Sequence, residues 1–132
     1  MKSLFAYGSL QLPEVLQAVL GRTLTGVPAQ LEDYRCCRLR GRSFPGVRPV
    51  AGAVCSGVLY RRVPADSWPF LDAFEDDFYR RLSLPVRVEG GGRETAEVYV
   101  VGEEYWGMML DEPWDLGQFR ERSLQRFLRD HS

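Results

Sequence analysis

The chain has 132 residues, 45% hydrophobic and 27% charged, which are globular values that exclude disordered and fibrous classes. Seventeen basic residues against eighteen acidic ones leave a net charge of −1, so nothing electrostatic draws the chain to nucleic acid or an anionic membrane. No apolar run is long enough to span a bilayer, and the length predicts one domain over residues 1–132.

The elements follow in chain order. Residues 2–7 read as a short apolar strand that Gly8 interrupts. Pro13 suits a first helical turn, Val15, Leu16 and Val19 form an apolar stripe, and Gly21 fits the stop. Residues 23–31 and 34–39 are two strand candidates. The Gly, Pro and Arg content of 41–49 predicts a loop, and 53–61 a strand. Residues 66–76 read as a helix with Asp66 or Ser67 as its cap. Residues 79–89 and 94–101 alternate in polarity around Gly90, Gly91 and Gly92, which predicts a hairpin. Residues 115–129 form one amphipathic helix, with Leu116, Phe119, Leu124, Phe127 and Leu128 on a face and Asp115 with Gln118 resembling a capping box. Many short strands with few helices predict an α+β fold: a small, bent, mixed β-barrel with flanking helices and a C-terminal amphipathic helix.

The residue inventory narrows the chemistry. The only histidine is His131, near the end of the sequence, so Ser-His-Asp and Cys-His sites are not expected. Cys36, Cys37 and Cys55 lack the spacing of a zinc site and are expected as reduced thiols in a cytoplasmic protein. The N-terminal apolar stretch is too short for a signal peptide. No metal or cofactor is implied. The arginines at 35, 38, 40, 42 and 48 fit a solvated face better than an anion site.

Two features remain. On the 66–76 helix, Trp68, Leu71, Glu75 and Phe78 fall at i, i+3, i+7 and i+10, which places Glu75 on the apolar stripe. Desolvation and the negative helix end both oppose ionisation there, so its pKa should rise into the range useful for proton transfer. The alternatives are pairing with Arg80 or Arg81, or an early helix end that exposes it. The second feature is Tyr7-Gly8-Ser9-Leu10 after a buried strand, either an anion-binding turn or a plain strand-to-helix connection. Gly8 is the position where an added Cβ would crowd a ligand or forbid the φ required.

These residues, taken in order, resemble the gamma-glutamylcyclotransferase-like superfamily. Phe5-Ala6-Tyr7-Gly8-Ser9-Leu10 is similar to its opening signature, and Phe44-Pro45-Gly46-Val47-Arg48-Pro49 to the mid-chain loop of its AIG2-like branch. Gly57-Val58-Leu59-Tyr60 and Ala96-Glu97-Val98-Tyr99-Val100 resemble its later strands. Leu71-Asp72-Ala73-Phe74-Glu75 with Tyr79-Arg80-Arg81 resembles the segment that carries the catalytic glutamate. The resemblance implies Glu75 as general acid/base, Tyr7, Gly8, Ser9 and Leu10 as the substrate cradle, and Tyr99 as a pocket wall. It implies a small-molecule gamma-glutamyl substrate, cyclised to 5-oxoproline with release of an amine and without a cofactor. Asp76 and Asp77 depart from the pattern, since many relatives carry a small residue there, and their charges are expected beside the pocket mouth. A non-catalytic binding module on the same fold is the alternative. A two-carboxylate glycosidase using Glu75 with Asp72 or Asp77 is a weaker one, because Asp72 falls on another helix face.

Overall fold

Five strands close into a barrel in the order β1-β3-β2-β4-β5, where β1 is Lys2–Ala6, β2 Gly26–Arg38, β3 Pro45–Val63, β4 Tyr79–Val88 and β5 Arg93–Val101. Neighbours run antiparallel except at the closing seam, where β1 pairs with β5 in parallel. Four short helices complete the architecture: α1 (Pro13–Leu20), α2 (Trp68–Phe74), α3 (Leu116–Arg122) and α4 (Leu124–Asp130). The computed structural model describes residues 1–130, so His131 lies outside the described residues. The expected mixed barrel of an α+β protein is what forms.

Strand alternation explains how one barrel carries two cores. In β1 and the residue after it, Phe5 and Tyr7 point to one side while Leu4 and Ala6 point to the other. In β5, Ala96, Val98 and Val100 join Phe5 and Tyr7, with Leu31, Cys55, Leu59 and Val86 from the remaining strands. A cluster fed by all five strands is the barrel interior. The opposite faces of β1 and β5 supply Leu4, Ala6 and Tyr99 to a second core with Val15 and Leu16 of α1, Trp68 and Leu71 of α2, Phe119 of α3 and Leu124 of α4. Burying a leucine such as Leu71, which has no exposed surface, stabilises by roughly 1.5–3 kcal/mol. That second core holds the helices, and the candidate site, against the barrel.

Several boundaries differ from the sequence reading. The two strand candidates at 23–31 and 34–39 are one strand, β2, with a register shift between Glu32 and Tyr34. Asp33 adopts a positive φ of 64° there, and its Oδ1 accepts a hydrogen bond from Gly52 N at 2.9 Å. The segment expected as a loop at 41–49 instead begins β3 at Pro45 and pairs with residues 34–38 of β2. Its prolines sit on a length of strand with a neighbour on one side only, where a missing N–H breaks no ladder. Neither Asp66 nor Ser67 caps α2 through its side chain. The expected helix at 115–129 is two helices that meet at Ser123. Asp115 does cap the first, accepting from Gly117 N at 2.7 Å and Gln118 N at 3.2 Å. Cys36, Cys37 and Cys55 are free thiols. Of the arginine group, Arg35 and Arg38 pair with Asp111 and Glu112, while Arg42 and Arg48 cover the rings of Phe78 and Trp106.

Candidate active site

α2 stops at Phe74, and Glu75 follows in extended conformation, its N–H still bonded to Leu71 O at 3.1 Å. The helix is shorter than expected, but the stripe keeps its phase as far as Glu75. Phe78 is buried for another reason: it packs with Leu39 and Val101 in a small separate cluster. Glu75 opens onto a cavity of about 350 Å³ between the end of β1, the loop 43–45, the turn after α2, and the helices α3 and α4. Tyr7, Gly8, Ser9, Leu10 and Tyr99 line the same cavity. All six residues singled out from the sequence therefore meet in one place, although 92 positions separate Tyr7 from Tyr99.

The carboxyl group of Glu75 is half-buried because one side faces the cavity, while protein encloses the rest. Desolvation pushes its pKa up to about 8, and the negative charges of Asp76 and Asp72 add to the rise. Neither arginine considered as a partner takes that role. Arg80 pairs with Glu104, and Arg81 pairs with Asp72 and Glu97. Asp76 lines the cavity beside Glu75 as expected, whereas Asp77 does not. The carbonyl of Asp77 accepts from Arg80 Nη1 at 2.7 Å.

The loop after β1 is tied down through its carbonyls. Gly8 O accepts from Gln11 N at 3.1 Å, Ser9 O from Leu12 N at 3.0 Å, and Leu10 O from the Tyr60 hydroxyl at 2.8 Å. Among the described residues, the N–H groups of Gly8, Ser9 and Leu10 find no acceptor. These three consecutive residues with unpaired N–H groups line the cavity. Gly8 has φ −115°, so of the two expected effects of an added Cβ the forbidden φ does not arise. What an added Cβ would meet is the Pro45 ring, with Cδ at 3.1 Å and Cγ at 3.2 Å.

The tyrosines hold the frame. Tyr7 donates its hydroxyl to Tyr99 O at 2.6 Å, and burial drives its pKa well above the usual phenol range. Tyr99 donates to Asp72 Oδ1 at 2.7 Å, and Arg81 Nη1 bonds both oxygens of Asp72 at 3.2 Å while its guanidinium lies 4.8 Å from the Trp68 ring centre. This chain of contacts fastens α2 to β4 and β5. Tyr99→Phe keeps the cavity wall and removes the bond to Asp72. The variant should lose about 1–2 kcal/mol of stability in denaturant unfolding. An unchanged midpoint would mean that the bond does not hold α2.

Sequence reasoning missed several lining residues. Tyr79, which donates to Pro45 O at 2.5 Å, reads from the sequence as wall or core. Ser43, Arg122 and Arg126 give no signal, and the convergence of the two arginines depends on how α3 and α4 dock. The contact that docks them is the edge-on packing of Phe74 against Phe127, with ring centres 5.7 Å apart. Among the described residues, no three histidine, cysteine or carboxylate side chains gather as a metal site, and no helix is long and apolar enough to cross a membrane.

Comparison with known proteins covers most of the chain. Residues 4–116 match the family profile described as Gamma-glutamyl cyclotransferase, AIG2-like. AIG2-like protein C of Arabidopsis thaliana is 32% identical over 130 residues, spanning 95% of this chain and 73% of that protein. An Arabidopsis thaliana protein solved in solution superposes with a TM-score of 0.76 at 25% identity, over 98% of this chain and 78% of the other. A solved gamma-glutamyl cyclotransferase shares the fold at a TM-score of 0.64 and 14% identity, over 98% and 85% of the two chains.

Proposed function

The chain belongs to the AIG2-like gamma-glutamyl cyclotransferase family, and on that premise we propose that residues 1–132 form one domain that cyclises a gamma-glutamyl amine or peptide to 5-oxoproline. The observation that carries this reading is a carboxyl group held at about 8 in a cavity, facing a loop of unpaired N–H donors. The substrate contains both reacting groups. Its alpha-amino nitrogen attacks its own gamma-amide carbonyl and closes a five-membered ring, so positioning supplies much of the rate. The chemistry is acyl transfer and calls for no redox or metal partner.

At neutral pH the amine is an ammonium. Glu75 as carboxylate takes one proton from it, and the freed amine attacks to form the C–N bond. Glu75 gives that proton to the departing nitrogen as the amide C–N bond breaks, then takes the second proton from the ring nitrogen and hands it to the released amine, which leaves as an ammonium and restores the carboxylate. An alpha-amino group ordinarily titrates at roughly 8, close to Glu75, so the proton moves between groups of similar affinity. The N–H groups of residues 8–10 hold the substrate's alpha-carboxylate. Tyr7 and Tyr99 shape the wall, their hydroxyls engaged with protein acceptors.

Incubation with gamma-glutamyl amines and peptides, with 5-oxoproline as the readout, tests the proposal. Saturable binding without 5-oxoproline would leave a binding module on the same fold. A pH profile tests the role of Glu75 separately. Because the base must be ionised, kcat/KM should rise with pH through about 8. Asp76 raises the Glu75 pKa, so Asp76→Asn should move this limb to lower pH. A limb that does not move would mean that another group titrates.

A further inference from the structure

α3, α4 and the turn between them bring Arg122, Ser123 and Arg126 to the cavity lining. Among the described residues, Arg122 and Arg126 are the only cationic side chains on that lining. The two arginines lie four positions apart, on either side of the break at Ser123, and among the described residues neither has an ion-pair partner. The charges that act on Glu75 are those of Asp76 and Asp72, and neither arginine is among them. Asp76 and Asp130 also border the space, which gives its mouth mixed sign, and the arginines offer an anion a second place besides the N–H groups of residues 8–10.

We propose that Arg122 and Arg126, with Ser123 between them, bind a carboxylate carried by the leaving amine, so that the cavity selects gamma-glutamyl amino acids or peptides over gamma-glutamyl derivatives of uncharged amines. This inference rests on the gamma-glutamyl reading of the same cavity. Its geometry follows from the two ends already placed. With the alpha-ammonium at Glu75 and the alpha-carboxylate at residues 8–10, the gamma-amide and its leaving group extend over the rest of the lining, whose cationic side chains among the described residues are Arg122 and Arg126. A cavity of about 350 Å³ sits at the small end of ligand pockets, so a dipeptide-sized substrate reaches that part of the lining. Guanidinium groups match carboxylate oxygens with paired donors.

The test uses gamma-glutamylalanine and gamma-glutamylethylamide, which differ by one carboxylate on the leaving side. The full chain should favour gamma-glutamylalanine about tenfold in kcat/KM, mainly through KM. The ratio should shrink as salt rises, because these arginines are exposed. Arg122→Gln combined with Arg126→Gln should bring the ratio close to one, and Arg126→Lys with Arg122 intact should restore part of it. A ratio near one in the native protein, or one untouched by the double substitution, overturns the inference. Calorimetric binding of both compounds to Glu75→Gln protein reads the same preference without turnover. A carboxylate preference in binding with no 5-oxoproline from either compound would uphold the arginine site and sink the cyclotransferase reading. Turnover of both compounds with no preference would do the reverse.

Discussion

Glu75→Gln should lower the rate of 5-oxoproline formation roughly a hundredfold or more, chiefly in kcat, while the protein still folds. The amide nearly matches the carboxylate in shape but cannot accept the ammonium proton. Substrate should bind with little change, because binding is assigned to the N–H groups of residues 8–10 and to the cavity wall. A variant with near-normal kcat would show that another group takes the proton.

The same substitution has a signed effect on stability. The pKa of Glu75 is raised in the fold, from an ordinary carboxyl value to about 8. Its contribution to stability is therefore fully present below its unfolded pKa of about 4.5 and is lost as pH rises through about 8. Above that pH the wild type carries a desolvated charge next to Asp76 and Asp72, and the glutamine variant does not. Glu75→Gln should be the more stable protein at alkaline pH, by an amount on the order of 1–2 kcal/mol once the side of the group open to the cavity is allowed for. Denaturant unfolding at pH 5 and pH 9 measures both limbs. A variant that is less stable at both values would mean that the carboxylate makes a stabilising contact in the fold.

The parts of this molecule that local rules govern were legible in the sequence. Three glycines between alternating runs announced the β4–β5 hairpin, and Trp68 and Leu71 set a helical phase that placed Glu75 at the protein interior. What escaped was set by tertiary context. Residues 45–49 look like a loop because Pro45, Gly46 and Pro49 are poor strand formers. They pair with residues 34–38 all the same, because the register shifts between Glu32 and Tyr34, where Asp33 alone stands against residues 50–53 of β3. The break at Ser123 is invisible because the apolar pattern continues through it. Arg122 and Arg126 carry no signal in the sequence. The packing of α3 and α4 on the second core, with Phe127 against Phe74, brings them to the cavity, and nothing in a periodicity shows which polar face will border a site. Tyr7 read as a substrate contact, yet its hydroxyl is engaged by Tyr99 O.

Gly8→Ala should reduce kcat/KM more than Ser9→Ala does, by about tenfold or more against a few-fold. The loop binds through backbone donors, and all three of its carbonyls are already tied, to Gln11, Leu12 and Tyr60. It cannot shift without losing one of those bonds. An alanine Cβ at position 8 meets the Pro45 ring at 3.1–3.2 Å, so either the ring or the loop must give by a few tenths of an ångström. Movement of Pro45 is resisted, because its carbonyl accepts the Tyr79 hydroxyl at 2.5 Å and its ring lines the same cavity. The displacement therefore falls on donors that must meet the alpha-carboxylate. Ser9 is buried, but its hydroxyl has no protein partner among the described residues, so its removal strands no polar group. If the loop holds the alpha-carboxylate equally in ground and transition states, the Gly8→Ala loss appears in KM; if it holds the oxyanion, in kcat. The fixed negative charge of the alpha-carboxylate calls for a fixed set of donors, so the KM effect is expected. Steady-state kinetics on the two variants decides between these outcomes, and a fully active Gly8→Ala protein would reduce residues 7–10 to a turn between β1 and α1.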